Sequence, residues 1–160
     1  MDKRGTILIG MAAGALWALA VVWGAQRAGL AFMTPLVGVP LAMAPVGLVM
    51  TLMIGRLAQR RFFDDRVIDG DAFPPGSPGW VDQRVLSNTA EQALLALLIW
   101  PFVALTMGGQ VAVVLGLAFA LARLLFWIGY HLSPPLRALG FAATFYTTVL
   151  AGLWSLAVWL

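Results

Sequence analysis

The sequence predicts an all-α integral membrane protein, a helix bundle with five spanning segments, on three observations. Hydrophobic residues make up 61% of the 160 and charged residues only 11%, against roughly 25% charged in a soluble domain. A soluble fold of this size has too little interior to hide so much apolar surface. Several uncharged runs reach the ~20 residues that a helix needs to cross a ~30 Å hydrocarbon layer. Threaded through a membrane, those runs also sort the basic residues to one side. The net charge of +3 does not point to nucleic acid, because the arginines are not set in a solvated fold. With no cysteine and with His131 as the single histidine, neither a disulfide framework nor a metal site is expected.

The elements follow in order. Residues 6–25 carry no charge and form the first span. Lys3-Arg4, the apolar stretch and Ala18-Leu19-Ala20 fit a cleavable signal loosely, but the run continues to full spanning length, which favours a retained helix. The uncharged run 28–55 contains Pro35, Pro40 and Pro45. It predicts a second helix from about Thr34 to Gln59, kinked at its prolines. The third uncharged run, 92–122, would extend roughly 46 Å as one helix, too long for a single crossing. Gly108-Gly109 near its middle is a turn signal, so with its polar flanks it yields two antiparallel helices, about 84–107 and 110–131. Ser133-Pro134-Pro135 breaks the chain, and the last span runs from about Arg137 to Leu160.

With the N-terminus inside, Lys3, Arg4, Arg56, Arg60, Arg61, Arg66, Arg84 and Arg137 all fall inside, Arg27 alone falls outside, and Arg123 lies within a span. This satisfies the positive-inside rule and places the N-terminus and the longest loop, about 60–83, in the cytoplasm. The aspartates of that loop, Asp64, Asp65, Asp69, Asp71 and Asp82, fit no EF-hand spacing and read as a solvated loop. Arginine outnumbers lysine nine to one, and alanine, glycine and leucine abound. That is the composition of a GC-rich bacterial genome, so a bacterial inner membrane is the expected location.

Glu91, the single glutamate, sits at the mouth of a membrane-grade segment. Arg84, Asn88 and Glu91, spaced four and three apart, share one helix face. Arg123, Trp127 and Tyr130 share a face of the next helix, with Phe126 beside them. Glu91 and Arg123 each lie seven residues from the inner end of their helices, hence at one depth, roughly 10 Å inside the membrane edge. An ionised side chain in the membrane costs at least ~2.5–3.5 kcal/mol, so opposite charges at one depth predict an ion pair. Such a pair could be a lock between two helices and nothing more. Arg84, Asn88, Tyr130 and Arg137 around it, opening on the side of the large loop, favour a pocket for a small zwitterionic anion. His131 reads as an interfacial, solvated histidine without a carboxylate neighbour. Trp127 is placed to floor the pocket. Gly10-x-x-x-Gly14 reads either as a helix-packing notch or as chance in an Ala/Gly-rich chain.

Arg84-x-x-x-Asn88-x-x-Glu91 at the start of one helix, Arg123 with Tyr130 seven residues on, and Arg137 after a short proline-containing loop resemble the MAPEG family, the membrane-associated proteins in eicosanoid and glutathione metabolism. The stretch "ARLLFWIGYHLSPPLRALGF" (122–141) is the more specific half, and the resemblance covers roughly residues 34–160. It implies a four-helix core over 31–160, with residues 1–30 as an extra N-terminal transmembrane helix. It also implies a homotrimer in the lipid bilayer with glutathione, as co-substrate, bound between subunits near the cytosolic face. Arg84, Asn88, Glu91, Arg123 and Tyr130 would line that glutathione site, and Arg137 would match the arginine that stabilises the thiolate. The residue chemistry agrees: arginine forks bind carboxylates, and a cation beside sulfur raises the thiolate fraction.

Phe126 and Gln92 stand where leukotriene-C synthases of the family carry tyrosines, so eicosanoid specificity does not follow. The implied activity is glutathione-dependent transfer or reduction on lipophilic small molecules arriving from the bilayer. The alternative is a non-enzymatic trimer that binds lipid or scaffolds. A small transporter subunit would predict internal repeats, and none is visible.

Overall fold

A computed structural model describes residues 3–160, with side chains from Arg4 onward. Met1, Asp2 and the Lys3 side chain, which belong to the expected 1–30 segment and its basic flank, lie outside the described residues. The five helices are α1 (Lys3–Arg27), α2 (Pro35–Phe62), α3 (Pro78–Met107), α4 (Gly109–Leu132) and α5 (Pro134–Trp159). Each is long and apolar enough to cross a membrane, and no strand occurs among the described residues. The protein is therefore an all-α membrane helix bundle. Helix α4 is its hub, packing against α2, α3 and α5. Gly38 of α2 lies against Gly109, and Ala42 against Gly116, so α2 and α4 run parallel. Gly10 lies against Pro135 and Gly14 against Ala142, so α1 runs parallel to α5.

The glycine pair of α1 is thus a packing notch. Gly10, Gly14, Ala18, Val22 and Ala25 form its buried stripe, and small residues let two backbones approach where lipid gives no hydrophobic drive between helices. Helix α2 stays unbroken through Pro40 and Pro45. Each proline removes one backbone donor, but the buried row Gly38, Ala42, Val46, Val49 holds the helix on its neighbours.

Helix α3 begins at Pro78, six residues before the expected start at 84. The Ser77 side chain accepts a hydrogen bond from the Trp80 amide at 3.2 Å, and Pro78 occupies the first helical position, where its missing N–H costs nothing. Hydropathy marks only the apolar part of a helix, whereas these capping residues set where it starts. Asp82 consequently moves out of the expected solvated loop and onto a buried helix face, 2% exposed. The shorter loop, 63–77, folds back on the end of α2. Arg61 donates to the carbonyls of Val67 (3.1 Å) and Asp71 (2.9 Å), and Leu57, Val67 and Phe73 make a small core of their own. Asp64 pairs with Arg66 at 2.9 and 3.0 Å. Those guanidinium hydrogen bonds hold the partly exposed Asp64 carboxyl below the usual carboxylate range.

The Gly108-Gly109 turn forms as expected, with Gly108 at φ 95°, a backbone region that side chains disfavour. It is pinned to the α1–α2 connection: the Gly109 amide donates to Met33 O at 2.8 Å, and the Met33 amide donates to Gln110 Oε1 at 3.0 Å. At the opposite end, Gly129 lies against the backbone of Arg137 and Gly140 against that of Phe126. A Cβ on Gly140 would stand 2.6 Å from Phe126 Cα, and backbone cannot yield as a side-chain tip does. Gly140→Ala is expected to destabilise the bundle by ~1–3 kcal/mol, read as a lower thermal midpoint in detergent. A midpoint equal to wild type would contradict this contact.

Candidate functional site

Arg123 is fully buried, 0% exposed. Its Nε donates to Thr89 Oγ1 at 3.2 Å and its Nη2 to Asn88 Oδ1 at 3.0 Å. The guanidinium carbon stands 3.8 Å from the centroid of the Phe126 ring, a cation–π contact strengthened by desolvation. The third nitrogen, Nη1, is buried without a hydrogen-bond partner. Asn88 turns its amide nitrogen to Glu91 Oε2 at 3.2 Å. The expected direct pairing of Glu91 with Arg123 is thereby corrected: at one depth the two charges face each other through the Asn88 amide, because Asn88 stands between them on α3. Glu91 itself is exposed on the single chain.

Asn88, Phe126, Tyr130 and Arg137 line a cavity of about 420 Å³ together with Ala138, Phe141 and two residues of α1, Ile7 and Met11. The Arg137 guanidinium lies 5.0 Å from the Tyr130 ring centroid, and the Phe126 and Tyr130 rings meet edge to face at 5.0 Å. The close approach at Gly129 and Gly140 sets Arg137 beside Tyr130. Three of the six expected site residues, Asn88, Tyr130 and Arg137, line this cavity; Arg123, buried, and Glu91, exposed, each hydrogen-bond to Asn88 without lining it. Arg84 stands apart on the exposed side of α3, its guanidinium 4.0 Å from the Trp80 ring centroid.

A second polar centre lies on another face of α4. Asp82 accepts from Arg60 Nε at 2.6 Å, from Trp127 Nε1 at 2.7 Å and from His131 Nε2 at 2.7 Å. Against a carboxylate already paired with arginine, Nε2 carries the imidazole proton. The reading of His131 as lacking a carboxylate neighbour is overturned by this contact, and Trp127 turns to Asp82 and does not floor the cavity. The signal was present: Asp82, Val85, Thr89 and Gln92 are spaced as one helical stripe, and all four are buried. Starting α3 at the Ser77-Pro78 cap would have placed Asp82 and Thr89 on the same face. The contribution of α1 had no such signal, since nothing in its apolar run marks Ile7 and Met11.

Five spanning helices that bring arginine, asparagine and tyrosine to a largely apolar cavity define a polyhelical membrane protein with a chamber that is polar at one side only. Residues 39–158, most of α2 through most of α5, match the MAPEG family, and the chain belongs to that family. No curated protein and no solved structure matches it.

Proposed function

We propose that the protein is a membrane-embedded transferase or peroxidase that uses glutathione, or a similar thiol, on lipophilic substrates. It works as a homotrimer in a bacterial inner membrane, with the N-terminus and the 63–77 loop cytoplasmic and residues 1–30 preceding a 31–160 catalytic bundle. The observation that carries this reading is the buried guanidinium of Arg123 with Nη1 unfilled. A buried cationic donor without an acceptor is costly, and an anionic ligand reaching past Asn88 supplies one. Glutathione offers two carboxylates, one ammonium and one thiol. Arg123 suits one carboxylate, Arg84, on the exposed side of α3, suits the other where a neighbouring subunit covers that face, Glu91 suits the ammonium, and Tyr130 with Arg137 the sulfur. Arg137 favours the thiolate over the thiol, and Tyr130 positions it. The thiolate then attacks an electrophilic carbon: the C–S bond forms, the leaving group departs with its electron pair, and the thiol proton goes to water.

Glu91 also supports assembly. It shares the outer face of α3 with Leu94, Leu98 and Leu105, exposed by 57%, 70% and 69%. A carboxylate facing lipid is expensive unless a second copy covers it. Native mass spectrometry in detergent should show a trimer, and a clean monomer or dimer would count against the assembly. Calorimetric titration of that trimer with glutathione tests the ligand. Saturable heat is expected. Its absence would favour the second reading, a non-enzymatic lipid-binding trimer, to which Phe126 points by bringing a ring without a hydroxyl to the cavity wall.

A further inference from the structure

The family match begins at residue 39 and leaves all of α1 outside it, yet α1 supplies Ile7 and Met11 to the cavity. The Gly10 and Gly14 notch seats α1 against Pro135, Ala138 and Ala142 of α5, the helix that also carries Arg137. Ile7 and Met11 are four residues apart and so project from one side of α1. The side turned away from the bundle is apolar and bare, with Leu8 62%, Leu16 68% and Trp23 61% exposed. Lipid therefore meets one side of α1 and the chamber meets another, with Met11, 36% exposed, at the border between them.

Resting on the thiol reading above, we propose that α1 is the wall between the chamber and the bilayer, and that Ile7 and Met11 set the size of the lipophilic electrophile that reaches Arg137 and Tyr130. The cavity, about 420 Å³, lies at the low end of the ~300–1,000 Å³ usual for small-molecule sites, and a tripeptide thiol takes up much of it. What remains is a slot bounded by Met11, Ile7, Phe126 and Phe141. Methionine is flexible and unbranched, so the slot admits a slender chain. The substrate class is an uncharged electrophile on a single alkyl chain or a small ring, and double-chain lipids are excluded.

The test is a series of n-alkyl isothiocyanates of increasing length, conjugated with glutathione by the full-length protein. In each reaction the thiolate sulfur bonds to the central carbon. A C=N π pair moves to nitrogen, which takes a proton from water, and water receives the thiol proton. The readout is the ratio of kcat/KM for the longest chain to that for the shortest. Met11→Ala opens the slot and is expected to raise the ratio about fivefold. Met11→Trp narrows it and is expected to lower the ratio about fivefold, just under the ~10–200-fold that one methylene commands in a tight apolar pocket. If wild type binds glutathione and conjugates but neither variant moves the ratio, α1 is not the wall and the thiol reading stands. If wild type gives no glutathione heat, the thiol reading falls, and the wall is judged by photolabelling with a benzophenone-tagged alkyl chain. Saturable labelling of Met11 that the untagged chain competes away upholds it, and labelling that never saturates overturns it.

Discussion

Asp82→Ala is expected to lower the thermal midpoint more than any other single substitution named here. The carboxylate takes hydrogen bonds from Arg60, Trp127 and His131 while only 2% exposed, and so ties α2, α3 and α4 together at one point. Breaking a buried ion pair by removing one partner costs about 3–5 kcal/mol, because the remaining group is left desolvated and uncompensated. Arg60 and His131, with 24% and 34% of their side chains exposed, can turn partly to water, but the half-buried Trp127 indole loses its acceptor. Thermal unfolding of the detergent-solubilised protein reads the loss. Asp82→Asn should lose less, since an amide oxygen still accepts. Adding Arg60→Leu to Asp82→Ala should restore part of the midpoint by removing the stranded cation. A wild-type midpoint in Asp82→Ala would mean that the three donors do not converge on this carboxylate.

Arg137→Ala should cut turnover tenfold or more while glutathione affinity falls little. Arg137 lies beside Tyr130 at the cavity, whereas Arg123 and Arg84 are the cations assigned to the carboxylates. A guanidinium near sulfur favours thiolate over thiol, and each pKa unit of that preference is worth about 1.4 kcal/mol, a factor of ten in the reactive form. Conjugation of a chlorinated nitroarene gives the rate, and the ultraviolet absorbance of the thiolate gives the ionised fraction. Both should drop together, and Arg137→Lys should recover part of each. Wild-type turnover with an unchanged thiolate signal in Arg137→Ala would leave Arg137 as a charged anchor at the membrane edge and place the activating group elsewhere.

Much of this protein is written locally. Span count follows from summed hydropathy, and the five helices fall where uncharged runs and the Gly108-Gly109 and Ser133-Pro134 breaks put them. The family is equally local, since Arg84, Asn88, Glu91, Arg123, Tyr130 and Arg137 stand in fixed spacing along the chain. Their periodicity also put Glu91 and Arg123 at one depth of two antiparallel neighbours, but it predicted a direct ion pair where Arg123 instead meets Asn88.

Tertiary structure alone decided which partner each charge takes. Arg123 finds Thr89 and Asn88 before Glu91, because the rotation of α3 about its axis turns Thr89 inward and Glu91 outward. That rotation comes from packing on α2 and α4, and residue spacing does not report it. Asp82 and His131, 49 positions apart, meet because the Ser77 cap starts α3 early and the parallel run of α2 and α4 carries Arg60 to the same level. The place of α1 on α5 depends on two glycines whose value is the absence of a side chain, and an absence acquires meaning only when a second backbone lies against it.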